Sequence, residues 1–461
     1  MIELPSSVQC CIAGGGPAGM MLGLLLARAG VRTVVLEKHG DFLRDFRGDT
    51  VHPSTLRIMD ELGLLDAFLE RPHQKLEVIG GWFDKKHVQL GDFRGLPKRY
   101  AFIAMVPQWE FLDFIAEHAS KLPAFTLRMR AEATGLFEES GRVVGVRGRG
   151  DDGDFVVRAD CTVACDGRHS TLRAAAGLPV EDLGAPIDVL WFRVARDPAA
   201  TDSSLARIAP GHFVVTIDRG DYWQCAFVIA KGGADALRQR PIADFRAQVV
   251  DAAPILAAHI DADVRSWDDV KLLTVAVDRL KQWSRPGLLC IGDAAHAMSP
   301  IGGVGINLAV QDAVAAANLL AAKLRAGSVG DDDLDAVQRR RLWPTKATQA
   351  AQLAIQDNVL VPVMSGASEA RSAAADARRH RAAGAAAFAG TRAGHGGAAR
   401  ARAHTRCLTD SNRLTGPVVS LPSGGAAMSV RGVASRGSRR SRRGSRKPRG
   451  CARRPRGRTG S

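Results

Sequence analysis

The sequence predicts an α/β protein, and three features along the chain carry that prediction. Near the N-terminus, residues 8–37 read as an apolar strand, a glycine-rich turn, an apolar helix and a second strand. Two later apolar strands each end at an acidic residue, Asp166 and Asp293. Residues 181–282 contain strand-like runs rich in β-branched and aromatic side chains, which predict an additional sheet. A chain of 461 residues is long enough for at least one large core and two domains.

The first feature is a predicted strand over residues 8–13 followed by Gly14-x-Gly16-x-x-Gly19. In a dinucleotide-binding unit the first glycine permits a tight turn, the second lets the backbone approach a pyrophosphate, and the third allows close packing of helix on strand. The strand after the helix ends at Glu37, where a carboxylate can accept hydrogen bonds from ribose hydroxyls. This pattern predicts a nucleotide cofactor but does not separate NAD from FAD.

Two further motifs combine a strand end with a helix start. In CTVACDGRHSTLR an apolar strand ends at Asp166 and Gly167 before a short helix. In CIGDAAHAMSPIGGVGINLAVQD an apolar run ends at Asp293 and passes through a proline and glycines into a helix. An acidic residue at the end of a buried strand, beside a glycine-rich helix entry, indicates a site for a large polar cofactor.

In this order, the motifs GGGPAG, CDGRHSTLR and IGDAAHAMSPIGGVGINLAVQD resemble those of the single-component FAD-dependent aromatic hydroxylases, the relatives of para-hydroxybenzoate hydroxylase. The resemblance covers residues 8 to about 360 and is weakest between Pro179 and Trp283. It implies a Rossmann-like (GR2-type) FAD-binding domain with an inserted mixed β-sheet substrate domain and C-terminal helices.

These implied domains divide the chain into alternating segments. The FAD-binding domain is predicted to take residues 1–75, 101–180 and 283–323, and the substrate domain residues 76–100 and 181–282. Residues 324–366 are predicted to form a helical region. Aromatic side chains of the substrate domain are candidates to line a pocket, although core packing explains them equally well. They include Trp191, Phe192, Phe213 and Trp223.

The resemblance also implies roles for individual residues of the third motif. It puts Asp293 on the ribityl chain of FAD and Pro300 beside the isoalloxazine ring. It puts the backbone amides of Gly305, Ile306 and Asn307 at the pyrimidine side of the flavin. Reduction leaves negative charge there, and a helix N-terminus stabilises anions. The alternative for Asp293 is that its side chain only caps the helix.

Other positions match family residues outside that motif. By resemblance, Arg47 lies near the pyrophosphate and Gln108 contacts the ribityl chain, with a surface-exposed polar residue as the alternative for each. Asp166, with Gly167, is implied to act through FAD, through the nicotinamide donor, or through both. We interpret His296 as a hydrogen-bonded histidine behind the site rather than an acid or a base.

The implied reaction is the hydroxylation of an aromatic or polyketide-like small molecule. FAD stays bound, while NADH or NADPH visits without a domain of its own, because the chain has one nucleotide fingerprint. Oxygen transfer from O2 would pass through a flavin C4a-hydroperoxide in a cavity that excludes water. The sequence singles out no catalytic base and no metal site. The alternative is a reductase, dehydrogenase or halogenase of the same fold, although the sequence lacks the Trp-x-Trp-x-Ile motif of tryptophan halogenases.

The net charge of +15 comes entirely from the C-terminal tail. Residues 1–366 carry 41 Lys and Arg against 45 Asp and Glu, whereas residues 367–461 carry 22 against 3. The tail is mostly Ala, Gly and Arg, which cannot bury enough apolar surface to offset ordering entropy, so we predict that it is disordered. Our hypothesis is an out-of-frame translation after about Gly366, which a helical pattern in another reading frame of the gene would support.

The rival interpretation of the tail is a basic segment that binds nucleic acid or anionic lipid. We do not expect nucleic-acid binding, because no aromatic residues interleave with the arginines to stack on bases. No membrane span is expected, because no apolar run reaches about 18 residues. The N-terminus MIELPSSVQ lacks the features of a signal peptide, which predicts a cytoplasmic protein. The eight cysteines have neither metal-ligand nor disulfide spacing, and the sequence does not specify an oligomeric state.

Overall fold

A computed structural model of the chain describes residues 4–43, 50–83, 86–199 and 205–365. Two sequence predictions lie outside these residues: the pyrophosphate contact of Arg47, and the disordered, out-of-frame tail over 367–461. Numbered along the chain, the helices are α1 (Pro17–Arg28), α2 (Pro53–Glu61), α3 (Leu65–Leu69), α4 (Gln108–Ala119), α5 (Thr171–Ala175), α6 (Ala234–Arg238), α7 (Ile242–Ala252), α8 (Ile260–Asp263), α9 (Gly305–Arg325), α10 (Asp331–Ile355) and α11 (Val361–Met364).

The strands within the described residues form four sheets. They are β1 (Ser7–Ala13), β2 (Thr33–Leu36), β3 (Thr50–Val51), β4 (Gln74–Leu76), β5 (Val78–Phe83), β6 (Lys86–Asp92), β7 (Ile103–Met105), β8 (Phe125–Arg128), β9 (Ala131–Glu139), β10 (Arg142–Gly150), β11 (Gly153–Ala164), β12 (Val180–Asp182), β13 (Ile187–Ala195), β14 (Ala206–Ala209), β15 (His212–Asp218), β16 (Tyr222–Ala230), β17 (Lys271–Leu273), β18 (Asp278–Leu280), β19 (Ser284–Arg285) and β20 (Leu288–Cys290). The pair β12–β18 forms one small sheet, and the trio β3–β7–β4 forms the other.

The first large sheet is parallel at its centre. β1 lies between β2 and β11 and pairs in parallel with both, and the sheet continues through β8 on one side and β20 on the other. At the carboxyl ends, Ala13 pairs with both Leu36 and Ala164, and Ala164 pairs with Cys290. Because parallel strands end at the same edge of a sheet, the loops that follow these four residues all begin at the carboxyl edge of the first sheet.

Helices α1 and α9 pack against each other and on β1. Their sequences are apolar around most of the helix circumference, as expected for helices buried in a core. Segment Ile301–Arg325 is long and apolar enough to cross a membrane, but 72% of its most apolar window is buried inside the protein. It is therefore a core helix of this fold.

The second large sheet takes strands from two separate stretches of the chain, in the order β17-β13-β16-β15-β14-β5-β6. β5 and β6 come from residues 78–92, and the other five come from residues 187–273. One face packs on α7 and α8, where Phe192 and Trp223 are fully buried near Phe245. These two candidate pocket residues are core residues.

The opposite face of the second sheet is also apolar but less buried. Trp191 and Phe213 lie on this face, half-buried against a cluster that includes Val189 and Val228. Ile301, from the third sequence motif, packs against the same cluster. This face of the second sheet therefore borders the region that follows β20, while the domain boundaries themselves stay a prediction.

Six of the eight cysteines lie in the described part of the chain, and all six are buried free thiols. Burial raises the pKa of Cys11, Cys225 and Cys290 well above the usual thiol range, because the thiolate loses its solvation. These thiols are therefore unreactive and contribute to packing.

Candidate functional site

Four residues predicted from the sequence lie at the carboxyl edge of the first sheet. Gly14 follows β1, Glu37 follows β2, Asp166 lies two residues after β11, and Asp293 lies three residues after β20. The structure brings them together because the four strands are parallel neighbours. Open α/β sheets bind their ligands at this edge.

Steric contacts explain the first glycine turn, Gly14–Gly19. Gly14 has a φ of +104°, and a Cβ there would lie 2.3 Å from the carbonyl oxygen of Cys165. A Cβ on Gly19 would lie 2.0 Å from the carbonyl oxygen of Gly14. A Cβ on Gly16 would meet nothing within 4 Å in the described part of the chain. Gly14 and Gly19 thus serve packing inside the protein, whereas Gly16 leaves space for a ligand at the start of α1.

Glu37 is buried beside the first glycine turn. Its Oε2 accepts a hydrogen bond from the Gly15 amide at 2.9 Å, and its Oε1 accepts one from the His39 amide at 3.0 Å. These two bonds fix the carboxylate at the end of β2. It is therefore held in one orientation next to the space that Gly16 leaves open.

The N-terminus of α1 fits an anion. Its first intrahelical hydrogen bond runs from the Met20 amide to the Gly16 carbonyl at 2.9 Å, so the earlier amides have no intrahelical acceptor. Among the described residues, neither an acidic side chain in the first turn nor a side-chain cap neutralises them. Such a helix end binds phosphate through its amides and dipole.

Asp166 holds the turn before α5. Its Oδ1 accepts from the Ser170 hydroxyl at 2.5 Å, and its Oδ2 accepts from the Leu172 amide at 3.1 Å. Gly167, with a φ of +86°, makes the left-handed turn between them. In the structure, the carboxylate of Asp166 therefore caps this turn. A role of Asp166 in binding a cofactor stays a prediction.

Asp293 lies in a single 3₁₀ turn, Gly292–Ala294, with 33% of its side chain exposed. Its Oδ2 is 3.6 Å from Nη2 of Arg168. Arg173 donates to the carbonyls of Ala294 at 3.4 Å and of Arg168 at 2.6 Å. The two arginines of CDGRHSTLR therefore support the turn that carries Asp293. Sequence reasoning missed these contacts, although both arginines were visible within the motif.

The side chain of Asn307 joins the start of α9 to α2 and β3. Its Oδ1 accepts from the His52 amide and from the Thr55 hydroxyl, both at 2.8 Å. Its Nδ2 donates to the carbonyls of Thr50 at 3.0 Å and Gly303 at 3.1 Å. The sequence predicted only a backbone role for Asn307. Three of these four partners lie more than 250 residues away along the chain, which is why the side-chain role was not predicted.

The second glycine turn, residues 302–305, leads into α9. The first intrahelical hydrogen bond of α9 runs from the Leu308 amide to the Val304 carbonyl at 3.0 Å, so the amides of residues 305–307 have no intrahelical acceptor. In the described residues, no acidic side chain or side-chain cap meets this helix end. The half-buried Pro300 lies one turn earlier.

A buried charge network lies behind these turns. Asp312 accepts from Arg341 Nε at 2.6 Å and from the Gly292 amide at 3.1 Å, and its Oδ2 lies 2.6 Å from His296 Nε2. Burial acts to raise the pKa of Asp312, but His296 and Arg341 hold it below its ordinary value. The contact to Asp312 agrees with our interpretation of His296 as a hydrogen-bonded residue behind the site.

Gln108 is the first residue of α4, which packs against α1. Gln108 is half-buried, so it is not the fully exposed polar residue that the alternative expected. The proposed contact of Gln108 with a ribityl chain stays a prediction.

Comparison with known proteins decides which nucleotide this edge of the sheet binds. A family described as FAD binding domain matches residues 7–351. This chain belongs to that family. The FAD-dependent fold and family inferred from the three motifs are therefore confirmed, and the chain is an FAD-dependent oxidoreductase.

Two relatives and one solved structure illustrate the similarity. 6-Methylpretetramide 4-monooxygenase from Streptomyces rimosus is 37% identical over 350 residues, which are 74% of this chain and 82% of that protein. Rifampicin monooxygenase from Streptomyces venezuelae is 30% identical over 66% of this chain, which spans only 61% of that relative. The structure of pqsL, a probable FAD-dependent monooxygenase from Pseudomonas aeruginosa, has a TM-score of 0.66 at 22% identity, covering 78% of this chain and 97% of that one.

The residues at the sheet edge fit FAD. Its pyrophosphate matches the uncapped start of α1 beside the open space at Gly16, and its adenosine ribose matches the fixed carboxylate of Glu37. A second uncapped helix start, residues 305–307 of α9, suits the electron-rich end of a reduced flavin. Both helix starts lie near Gly292, just after β20, where a Cβ would be 3.0 Å from the Ala18 Cβ of α1 and 3.6 Å from the Ala309 Cβ of α9.

Proposed function

We propose that this protein is a cytoplasmic FAD- and NAD(P)H-dependent monooxygenase that hydroxylates an aromatic or polyketide-like small molecule with O2. The observation that carries the proposal is the pair of uncapped helix starts at one sheet edge, bordered by an apolar face of the second sheet. In the net reaction, NAD(P)H, a proton, O2 and the substrate give the hydroxylated product, NAD(P)+ and water.

FAD, when bound, supplies the redox chemistry, and the protein supplies binding, orientation and electrostatics. The amides at the start of α1 bind the pyrophosphate, and Gly16 lets the backbone approach it. Glu37, held by two backbone amides, accepts from the ribose hydroxyls. The amides of residues 305–307 stabilise negative charge at the pyrimidine side of the ring, because they lie at a helix N-terminus.

The half-buried apolar face of the second sheet favours the proposal that the substrate is apolar. Trp191 and Phe213 pack against the same apolar cluster as Ile301, which follows Pro300 directly in the sequence. Closing such a face over a substrate excludes water and protects oxygen transfer from side reactions. The similarity to the Streptomyces rimosus relative, a 4-monooxygenase of 6-methylpretetramide, supports a substrate of the polyketide class.

The test is oxygen incorporation by the purified, FAD-loaded chain. NADH or NADPH oxidation and O2 consumption are followed with a panel of phenolic and polyketide-like compounds, and products are analysed by mass spectrometry under 18O2. We expect substrate-dependent O2 consumption and one 18O atom in each product molecule. The same protein after removal of FAD is the control and should be inactive.

Two outcomes would reject this proposal. NAD(P)H-dependent reduction or dehydrogenation without O2 consumption would assign a reductase or dehydrogenase to the same fold. Oxygen in the product that derives from labelled water instead of O2 would exclude a monooxygenase.

A further inference from the structure

Helix α10 buries a polar face. Five polar residues, spaced four, four, three and four positions apart, share one side of the helix and its continuation, and none is more than 5% exposed. We call them the α10 polar stripe: Arg341, Thr345, Gln349, Gln352 and Gln356. Elsewhere on the helix, Trp343 is 59% and Ile355 44% exposed. From Arg341 onward, the helix therefore departs from the ordinary amphipathic pattern, in which the buried face is apolar.

The stripe contacts residues 291–304, here called the flavin loop. The clearest contact is that of Gln352, whose Nε2 donates to the carbonyls of Ser299 at 2.9 Å and Ile301 at 2.7 Å. These two carbonyls belong to the residues on either side of Pro300. One buried amide therefore fixes the backbone on both sides of the residue that the family resemblance puts beside the flavin ring.

Neighbouring stripe residues extend this contact in both directions. Gln349 Nε2 donates to the Ala297 carbonyl at 3.1 Å, and Gln356 Nε2 donates to the Ser299 hydroxyl at 2.8 Å. At the N-terminal end of the stripe, Arg341 binds Asp312, which also accepts from the Gly292 amide. The stripe thus supports the flavin loop along most of its length.

The stripe is incompletely satisfied, which argues against a role in stability alone. Within the described residues, Gln352 Oε1, Gln356 Oε1 and Thr345 Oγ1 are buried without a hydrogen-bond partner. Buried polar atoms without partners are unfavourable, and an apolar helix face would pack here without that cost. The Nε2 groups of Gln349, Gln352 and Gln356 each donate to the flavin loop, whereas two of the three Oε1 acceptors of these glutamines have no partner among the described residues.

The segment after the stripe contacts the second sheet. A π-helical turn, Gln356–Leu360, precedes α11, where Pro362 has no N–H to donate within the helix. Leu360 and Met364 pack into the same apolar cluster as Trp191 and Ile301. The Val363 carbonyl accepts from the Gly211 amide, at the β14–β15 turn, at 3.0 Å. Residues 349–364 therefore contact the flavin loop and the second sheet at once.

We propose that residues 349–364 form a bracket that fixes the flavin loop relative to the second sheet, with Gln352 as its positioning residue. The bracket sets the separation between the flavin ring and the apolar face that receives the substrate. Residues 352–364 lie beyond residue 351, where the match to the family ends. The proposal rests on the FAD site argued above.

A pair of matched variants on α10 tests this proposal. Gln352→Met keeps the side-chain length but removes both donors to the flavin loop. Gln338→Met is the control, because Gln338 also bonds the backbone twice, accepting from the Trp283 amide at 3.0 Å and donating to the Lys281 carbonyl at 2.9 Å. Neither of those partners belongs to the flavin loop. Each protein is measured for FAD dissociation constant, flavin visible spectrum and Tm.

We expect Gln352→Met to weaken FAD binding about tenfold and to shift the visible flavin bands, since a displaced loop changes the environment of the ring. Gln338→Met should keep the wild-type spectrum and an FAD dissociation constant within about twofold of the wild-type value. This should hold even where its Tm falls as much as that of Gln352→Met. Equal FAD binding and equal flavin spectra in the two variants would contradict the proposed role of the bracket. If Gln352→Met does not fold, Gln356→Met decides by the same criteria, because it removes one donor to Ser299. Failure of the wild-type chain to bind FAD would reject the proposed function instead.

Discussion

The two glycine turns at the carboxyl edge of the first sheet lead to the same structure, a helix start without a side-chain cap, but they are supported differently. The first, Gly14–Gly19, is held by backbone packing, since two of its glycines have no room for a Cβ. The second, residues 302–305, is held by two side chains: the hydroxyl of half-buried Thr50 and the amide of buried Asn307. Backbone packing allows one residue type, whereas side-chain support depends on partners brought from distant parts of the chain.

The largest effect is expected from two alanine substitutions within the first turn. Gly19→Ala should lower the free energy of unfolding by at least about 3 kcal/mol, because its Cβ would lie 2.0 Å from the Gly14 carbonyl oxygen. Gly16→Ala should lower it by no more than about 1 kcal/mol, the cost of alanine at an N-cap, yet weaken FAD binding. Urea unfolding and FAD titration measure both. If both variants lose the same stability, the distinction fails between Gly19, which is required for packing, and Gly16, which leaves space for a ligand.

Asn307→Ala removes side-chain support from the second turn and should lower the free energy of unfolding by about 2–4 kcal/mol. The reason is that four hydrogen bonds of one buried side chain disappear together. Asn358→Ala is the control, because exposed Asn358 makes one local bond, to the Ala354 carbonyl. It should change stability by less than about 0.5 kcal/mol. Similar small effects for both variants, in urea unfolding, would contradict the role given to Asn307.

Side-chain support also makes the second turn sensitive to pH. His52, whose amide binds Asn307, has a buried ring, and desolvation lowers its pKa from 6.5 to about 4. The folded state therefore binds fewer protons than the unfolded state between those values, so stability should fall as pH drops through this window. From pH 7 to pH 5 the loss attributable to His52 is roughly 1–2 kcal/mol.

The His52→Gln variant isolates this contribution. Half-buried His212 also has a pKa lowered by burial, but it is present in both proteins and cancels in the comparison. The expected result is a shallower loss of stability for the variant between pH 7 and pH 5, measured by urea unfolding at each pH. Parallel pH profiles for wild type and variant would show that His52 does not titrate as the structure indicates.

The smallest effect is expected at Thr50, whose hydroxyl donates to the Gly303 carbonyl at 2.6 Å. Thr50→Val keeps the shape but removes the donor, and should lower the free energy of unfolding by about 1 kcal/mol. Thr50→Ser keeps the hydroxyl and should lose less. If Thr50→Ser is the more destabilised of the two in thermal unfolding, the methyl group and not the hydrogen bond supports this turn.

Sequence reasoning succeeded where the supporting contacts are local or depend on glycine. The order β1, α1, β2 and the positions of Gly14, Gly19 and Glu37 followed from spacing within residues 7–37, because neither Gly14 nor Gly19 has room for a Cβ. The same reasoning put Asp166 and Asp293 at strand ends. It did not assign their hydrogen-bond partners, which depend on tertiary packing.

The α10 polar stripe shows why contacts that depend on tertiary packing were not predicted from the sequence. Glutamines at helical spacing ordinarily indicate a solvated face, and the sequence predicted only a helical region over residues 324–366. The structure instead buries Gln352 and exposes Trp343, because the carbonyls of the flavin loop require donors. The signal was present as polar residues at positions 341, 345, 349, 352 and 356, but only the packed structure shows which face is inside.

The most direct test of the central claim, that both glycine turns hold one FAD, is the amount of FAD that the purified chain binds. Visible absorption before and after heat release, followed by titration of the FAD-free protein, gives the stoichiometry. We predict oxidised-flavin bands and one FAD per chain. A colourless chain that cannot be reconstituted with FAD would contradict it.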